Sequence, residues 1–513
     1  MKRTEIHRLP TTPSVEIRES LDRLDDALSA RLDTWLAVAS PEAFRSLELS
    51  IAELMRKSGD EITKAILGAR LSDDAFQDGA VTAARASTTK AYRPVERRSV
   101  SVTLLGGTKI TVPTKYMRQD IRKRSGRRRK CGGRGKGGTG LHPALATLGI
   151  WFGVTPGVAD EICRQVADSD SVRAGRQALA RRNLDLGHKE TLRIVNHVGH
   201  RLVGQRDEWV AIALEKPPQS GPLSEKRVVI AADGGRIRER SPARHGRKRA
   251  NGHRRYDAPW REPKLFAIYT IDEDGKAVDS FRPVYDGTLG DCDVIFSMLV
   301  GYLRSLGAHE AQEIEILGDG AKWIWERADQ LAASLQIPPE RITQVVDWYH
   351  AVETLGEIAA ARTSWTETER HAWLEETKTS LYKGDMEAVL AGIDALSKGR
   401  NAKLIKKHRA YFARNAARMT YAAFKRRHLA IGSGAVESAI RRVVNLRMKG
   451  NGTFWLEKNA EAMLLMRAYV KSDRFDDLIL WSLASAAPWT GAHRDTGPIR
   501  EPRVHASTEP LAA

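Results

Sequence analysis

From Arg227 onward the apolar residues change their period, and that change limits what the rest of the chain can fold into. RVVIAADGG is a buried-strand run ending at Asp233. KLFAIYTIDED and AVDSFRPVYDG read as a second and third strand, and an amphipathic helix spans roughly Asp291 to Leu306. EIEILGDG is a short strand ending at Asp319, AKWIWERADQLAASL a helix, and RITQVVDWYH a fifth strand passing Asp347. The order strand, strand, strand, helix, strand, helix, strand predicts an α/β sheet domain.

The flanking segments are built differently. From about Ser14 to Arg70 apolar residues recur at helical spacing, so residues 1–95 read as an N-terminal helical region, a bundle or a coiled pair. RRSVSVTLLGGTKITVPTK alternates around Gly106-Gly107 as a β-hairpin does, and a Gly-rich basic run follows; together they make residues 96–140 a hairpin and basic linker. Residues 141–219 look all-helical. There a short helix, a turn and a second helix carrying Lys189, Arg193, His197 and Arg201 along one side suit reading of a DNA major groove, although helical hairpins also occur without DNA. Residues 350–428 are almost wholly helical and basic, GSGAVESAIRRVVNLRMKG opens one more helix, and residues 483–513 read as a disordered tail. A chain of 513 residues fits this multidomain α+β division.

Charge narrows the partners. The formal net charge of +19 repels itself in a compact state and points to an anionic partner, nucleic acid or an acidic membrane surface. No run approaches the ~18–20 apolar residues that span a bilayer, and the N-terminus has no apolar signal core. The three cysteines, Cys131, Cys163 and Cys292, fit neither zinc nor disulfide spacing. The expectation is a soluble cytoplasmic protein that binds DNA and no membrane.

Three carboxylates stand where chemistry is possible. Asp233 and Asp319 each end a hydrophobic strand and precede glycine, and ligands gather beyond the carboxyl ends of strands in open α/β sheets. Asp-Gly is also a common turn dipeptide, but two such acids in a basic chain repel each other unless a cation lies between them. Glu437 opens a helix, where an acid also simply favours the positive end of the helix dipole; position alone does not choose. Carboxylate oxygens suit Mg²⁺ or Mn²⁺, and two such ions, about 3.5–4 Å apart, support in-line phosphoryl displacement. Candidate phosphate contacts are Arg127, Arg128, Arg129 and Lys130 in the linker, Lys189 and Arg193, then Arg236, Arg238, Arg247, Lys248 and Arg249 after the first strand, and Arg447 and Lys449 after the Glu437 helix. Asp347 and His350 are candidates for supporting the ligands. Of Trp323 and Trp325, one reads as core and the other as a possible base-stacking ring.

The segments ADGGRIRER, LGDGAKWIW, VVDWYHAVE and GSGAVESAIRRVVNLRMKGNGTFW resemble, in order, the signature blocks of insertion-sequence transposases of the ISKra type. The resemblance covers about residues 97–470. It implies a ribonuclease-H-like catalytic core over residues 220–349 and 429–482, with sheet order 3-2-1-4-5, interrupted by an all-helical insertion at 350–428. It also implies that Asp233, Asp319 and Glu437 are the metal ligands of an Asp/Asp/Glu triad. The expected activity is Mg²⁺- or Mn²⁺-dependent strand cleavage and strand transfer at transposon ends, two ions per site, by a homo-oligomer on DNA. A non-catalytic DNA-binding descendant and a nuclease on the same core are the alternatives.

Overall fold

The computed structural model describes residues 15–87, 95–118, 140–241, 255–319, 325–397, 401–432, 434–450 and 452–485, with Tyr92 and Arg247 besides. It is a mixed α+β protein of two compact units that divide between residues 201 and 202, inside the helix His188–Glu215. The linker candidates Arg127, Arg128, Arg129 and Lys130, and also Lys248, Arg249 and Trp323, lie outside the described residues.

In the first unit, helices Val15–Leu36, Pro41–Ser72 and Asp74–Ala86 precede a hairpin of β1 (Glu96–Thr103) and β2 (Lys109–Arg118) in antiparallel register, to which β3 (Gly140–Leu141) adds a short edge. Ser40 and Asp73 cap the second and third helices by accepting from Ala43 and Phe76 backbone N–H groups. Leu71, Val81, Val102, Leu104, Ile110, Val112 and Met117 form the core that joins helices to hairpin. Two buried polar side chains fix the register. Asp60 accepts from the backbone N–H groups of Gly106 (2.9 Å) and Thr108 (3.0 Å), and Gln77 accepts from that of Lys115 (2.6 Å). Helices Pro143–Thr147, Pro156–Asp168 and Val172–Ala180 follow.

The second unit holds the sheet. Its strands are β4 (Arg227–Gly234), β7 (Lys264–Ile271), β8 (Val284–Thr288), β9 (Glu313–Gly318) and β10 (Ile342–Val346), with a small pair, β5 (Ile237–Arg238) and β6 (Trp260–Arg261), between the first two. The sheet runs β10-β9-β4-β7-β8. Numbered along the chain, that is 3-2-1-4-5, the order expected. β4 is antiparallel to β7 and β7 to β8, while β4–β9 and β9–β10 are parallel.

Alternation assigns the two faces. Phe266 and Asp286 point to the helix Cys292–Ser305, where both meet Tyr302. The other face, to which Tyr285 belongs, receives the helix Gly434–Ile440 and its continuation, from which Arg442 donates to the Tyr285 hydroxyl (3.2 Å). Beside β8 runs the helix Glu457–Lys471, tied in through the buried Arg206, which pairs with Asp286 (3.4 Å) and Glu461 (2.9 Å). Between β10 and the Glu437 helix the described residues form the α-helices Trp348–Ala360, Glu367–Lys383, Met386–Asp394, Ala402–Asn415 and Tyr421–Arg426, joined by turns and loops.

Candidate active site

Register brings the first two acids together. Ala232 of β4 lies opposite Gly318 of the parallel β9, so Asp233 and Asp319 leave adjacent strand ends on the same side of the sheet. Glu437 arrives from the helix Gly434–Ile440, which packs on β4 and β7. The clearest sign of their proximity is electrostatic. The Asp233 carboxyl is raised to about 6, first by burial and then by the charges of Asp319 and Glu437. A bond from its own neighbour, the Gly234 N–H (2.6 Å), and the nearby His350 oppose the shift. Asp233 and Asp319 are half-buried, whereas Glu437 is exposed.

Asp347 has another task. It is buried at the end of β10, its side chain caps the helix Trp348–Ala360 by accepting from the Tyr349 N–H (2.7 Å), and its own N–H donates to the Gly318 carbonyl (2.8 Å). In the observed order β9 separates β10 from β4, a gap of two strands or roughly 9–10 Å. His350, one turn into that helix, lies near enough to act on Asp233 and also near Glu353 (3.9 Å).

The approach of the Glu437 helix depends on a glycine beside Asp233. A side chain on Gly235 would lie 2.8 Å from Val444, so only glycine lets the helix continuation sit this close to β4. Gly432 is confined by the Tyr349 ring, whereas Gly434 meets nothing within 4 Å. After Ile440 the helix opens into a π-turn over Arg441–Asn445. The buried Arg467 receives it, donating from Nε to the Val443 carbonyl (2.7 Å) and from a terminal nitrogen to that of Arg442.

Three contributors had little or no mark in the sequence. Tyr411, on the helix Ala402–Asn415, donates to the Asp319 backbone carbonyl (3.2 Å), linking that helix to the strand end. Arg467 shows only as a lone cation within LLMRAYV. Glu315 is buried in the middle of β9, where it accepts from the Ala430 N–H (3.1 Å) and burial pushes its carboxyl up to about 8. Its signal was a charge inside the apolar run EIEIL.

The basic candidates divide. Arg236, Arg238, Arg247 and Lys449 are exposed, but Arg447 is buried with its guanidinium over Trp455 (5.3 Å) and presents no charge to solvent. Lys189 and Arg193 are exposed, the latter stacked on Phe152 at 4.6 Å. His197, expected on the same outward side, packs against Trp151 and Phe152, and burial lowers its imidazole to about 4. Trp325 is the core member of its pair. Among the described residues no helix is long and apolar enough to cross a membrane. The chain matches no protein-family model, no curated protein and no solved structure.

Proposed function

We propose that this chain is a DNA transposase of the Asp/Asp/Glu class with a ribonuclease-H-like core, cleaving strands at the ends of a mobile element and joining them to a target. One observation carries the reading: Asp233 and Asp319 leave the ends of two adjacent parallel strands on the same side of the sheet, and the helix that bears Glu437 packs on the first of those strands. Acids gathered in this way in a chain of net charge +19 fit a site made for cations. The 3-2-1-4-5 order supports the same core.

The donor set, all carboxylate oxygen, fits Mg²⁺ or Mn²⁺. Among the described residues no three acidic, histidine or cysteine side chains already stand together as a metal cage. Glu437 is the third donor of the set, exposed on the helix that packs on β4 and β7. When bound, a pair of such ions activates the attacking oxygen and stabilises the leaving oxygen of an in-line displacement. The protein's own part is to hold Asp233 and Asp319 at fixed strand ends, seat Glu437 on a packed helix, and offer Arg236, Arg238 and Lys449 to phosphates.

The test is cleavage and joining by the purified protein on DNA carrying the sequences that flank its own reading frame, with Mn²⁺ or Mg²⁺. Asp319→Asn is expected to abolish both products while DNA binding persists. Cleavage at the wild-type rate by Asp319→Asn overturns the assignment, and cleavage without joined products favours a nuclease.

A further inference from the structure

Beyond Asp233 the chain builds a small ribbon rather than a plain loop. β5 pairs antiparallel with β6, placing Arg238 directly opposite Trp260. Backbone bonds extend the pairing, from Glu239 N–H to the Pro259 carbonyl (3.0 Å) and from Ser241 N–H to that of Asp257 (2.9 Å). A third stretch lies alongside: Trp455 N–H donates to the Arg238 carbonyl (2.9 Å), and Arg240 N–H to that of Trp455 (2.6 Å). The ribbon thus joins chain that has just left Asp233 to chain that has just left the Glu437 helix.

Rings and guanidinium groups alternate on it. Arg238 lies 4.8 Å from the Trp260 ring centre and 5.9 Å from that of Phe454, and Arg240 lies 5.4 Å from that of Tyr256. Tyr256 and Phe454 meet edge to face at 5.7 Å. Trp260 is 50% exposed on a strand of two residues, so its indole serves no core. Exposed aromatic faces bracketed by arginine are the chemistry that holds unpaired nucleotides: the base stacks on the ring and the cation meets the phosphate. Bases inside a duplex have their faces covered by one another. Only a strand opened near the cut offers one.

Arg238 follows Asp233 by five residues, at most about 18 Å of extended chain. We propose that Arg238, Trp260 and Phe454 form a stacking platform for an unpaired nucleotide of the strand being processed at the acidic site. This rests on the reading that the chain acts on DNA.

The experiment uses the full chain without divalent cation and oligonucleotides carrying 2-aminopurine, either in an unpaired flap or within a duplex. Wild-type protein and Trp260→Phe are expected to quench the flap probe. Trp260→Ala is expected to lose quenching and to bind the flap roughly 5- to 150-fold more weakly, the range of base–aromatic stacking, with duplex affinity within about twofold. Wild-type flap binding by Trp260→Ala overturns the platform, as does an equal loss on flap and duplex. Cleavage with Mn²⁺, measured in parallel, separates the two claims. An inactive wild-type chain that still shows the Trp260-dependent flap effect sinks the enzymatic reading and leaves the platform. An active chain indifferent to Trp260→Ala sinks the platform alone.

Discussion

Arg467 donates from Nε to the carbonyl of Val443 at 2.7 Å, filling a backbone gap one turn beyond the helix that bears Glu437. A π-turn leaves carbonyls misaligned with the helical ladder, and such turns concentrate at functional sites. Here the released groups of Arg442 and Val443 find a buried guanidinium on the helix Glu457–Lys471. On the proposed reading Arg467 is a positioning residue, since it acts on Glu437 only through the backbone.

Arg467→Met should leave DNA affinity unchanged but lower cleavage on the order of 100-fold, the scale of a misplacement of about 1 Å at a reacting centre. It should also raise the Mn²⁺ concentration for half-maximal activity, and Arg467→Lys should recover part of both. A purely structural role would instead lower the melting temperature and leave the Mn²⁺ midpoint of the surviving protein where it was.

Asp233 gives a second expectation. Its carboxyl, raised to about 6, lies above the ordinary value of 3.8, so the folded protein takes up a proton there that the unfolded chain releases. The group's stability contribution is full below pH 3.8 and is lost as pH rises through 6. Asp233→Asn should therefore melt at a higher temperature than wild type at pH 7.5 without metal. Mn²⁺ should raise the melting temperature of wild type and not of the variant, and the wild-type response should fade below pH 6 as protons compete. A metal-dependent rise of equal size in Asp233→Asn would falsify its role as a ligand.

Glu315 follows the same sign over a wider range. Between pH 4.5 and about 8 the unfolded chain ionises while the buried carboxyl keeps its proton, so stability falls across that window. The full penalty above pH 8 is on the order of 3–5 kcal/mol. Glu315→Gln keeps an oxygen for the Ala430 N–H and should raise the melting temperature by roughly 5 °C or more at pH 8.5, with little change at pH 4.5. Melting curves at the two pH values decide it.

How far the sequence could be read follows from which contacts are local. The five strands were legible because each is a run of apolar residues with its own boundaries, and Asp233 and Asp319 because they end such runs. The hairpin at Gly106-Gly107 was legible for the same reason, but not Asp60 and Gln77, which reach it across 46 and 38 residues of chain. Tyr411 and Arg467 touch the site through backbone carbonyls, contacts that leave no spacing in the chain. The burial of Arg447 and His197 was not legible, because a basic side chain on a helix reads as exposed unless the ring that covers it, Trp455 or Phe152, is known.

The identity of the third acid is the sharpest remaining test. Asp347 is closer to Asp319 in sequence and also ends a strand, yet its side chain is committed to the N–H of Tyr349 and its strand lies two steps from that of Asp233. Asp233 responds to the charges of Asp319 and Glu437. Losing the cap should cost Asp347→Asn little, since asparagine caps nearly as well as aspartate. Glu437→Gln removes a charge from an exposed position and should not disturb folding. With both variants folded, Mn²⁺ titrations of strand cleavage should show Glu437→Gln inactive, by a factor of about 10³ or more if transition-state charge loses a metal ligand. Asp347→Asn should retain activity within roughly tenfold, with an unshifted Mn²⁺ midpoint. The opposite pattern, a dead Asp347→Asn beside a nearly normal Glu437→Gln, would transfer the third ligand to β10 and leave the Glu437 helix a packing element.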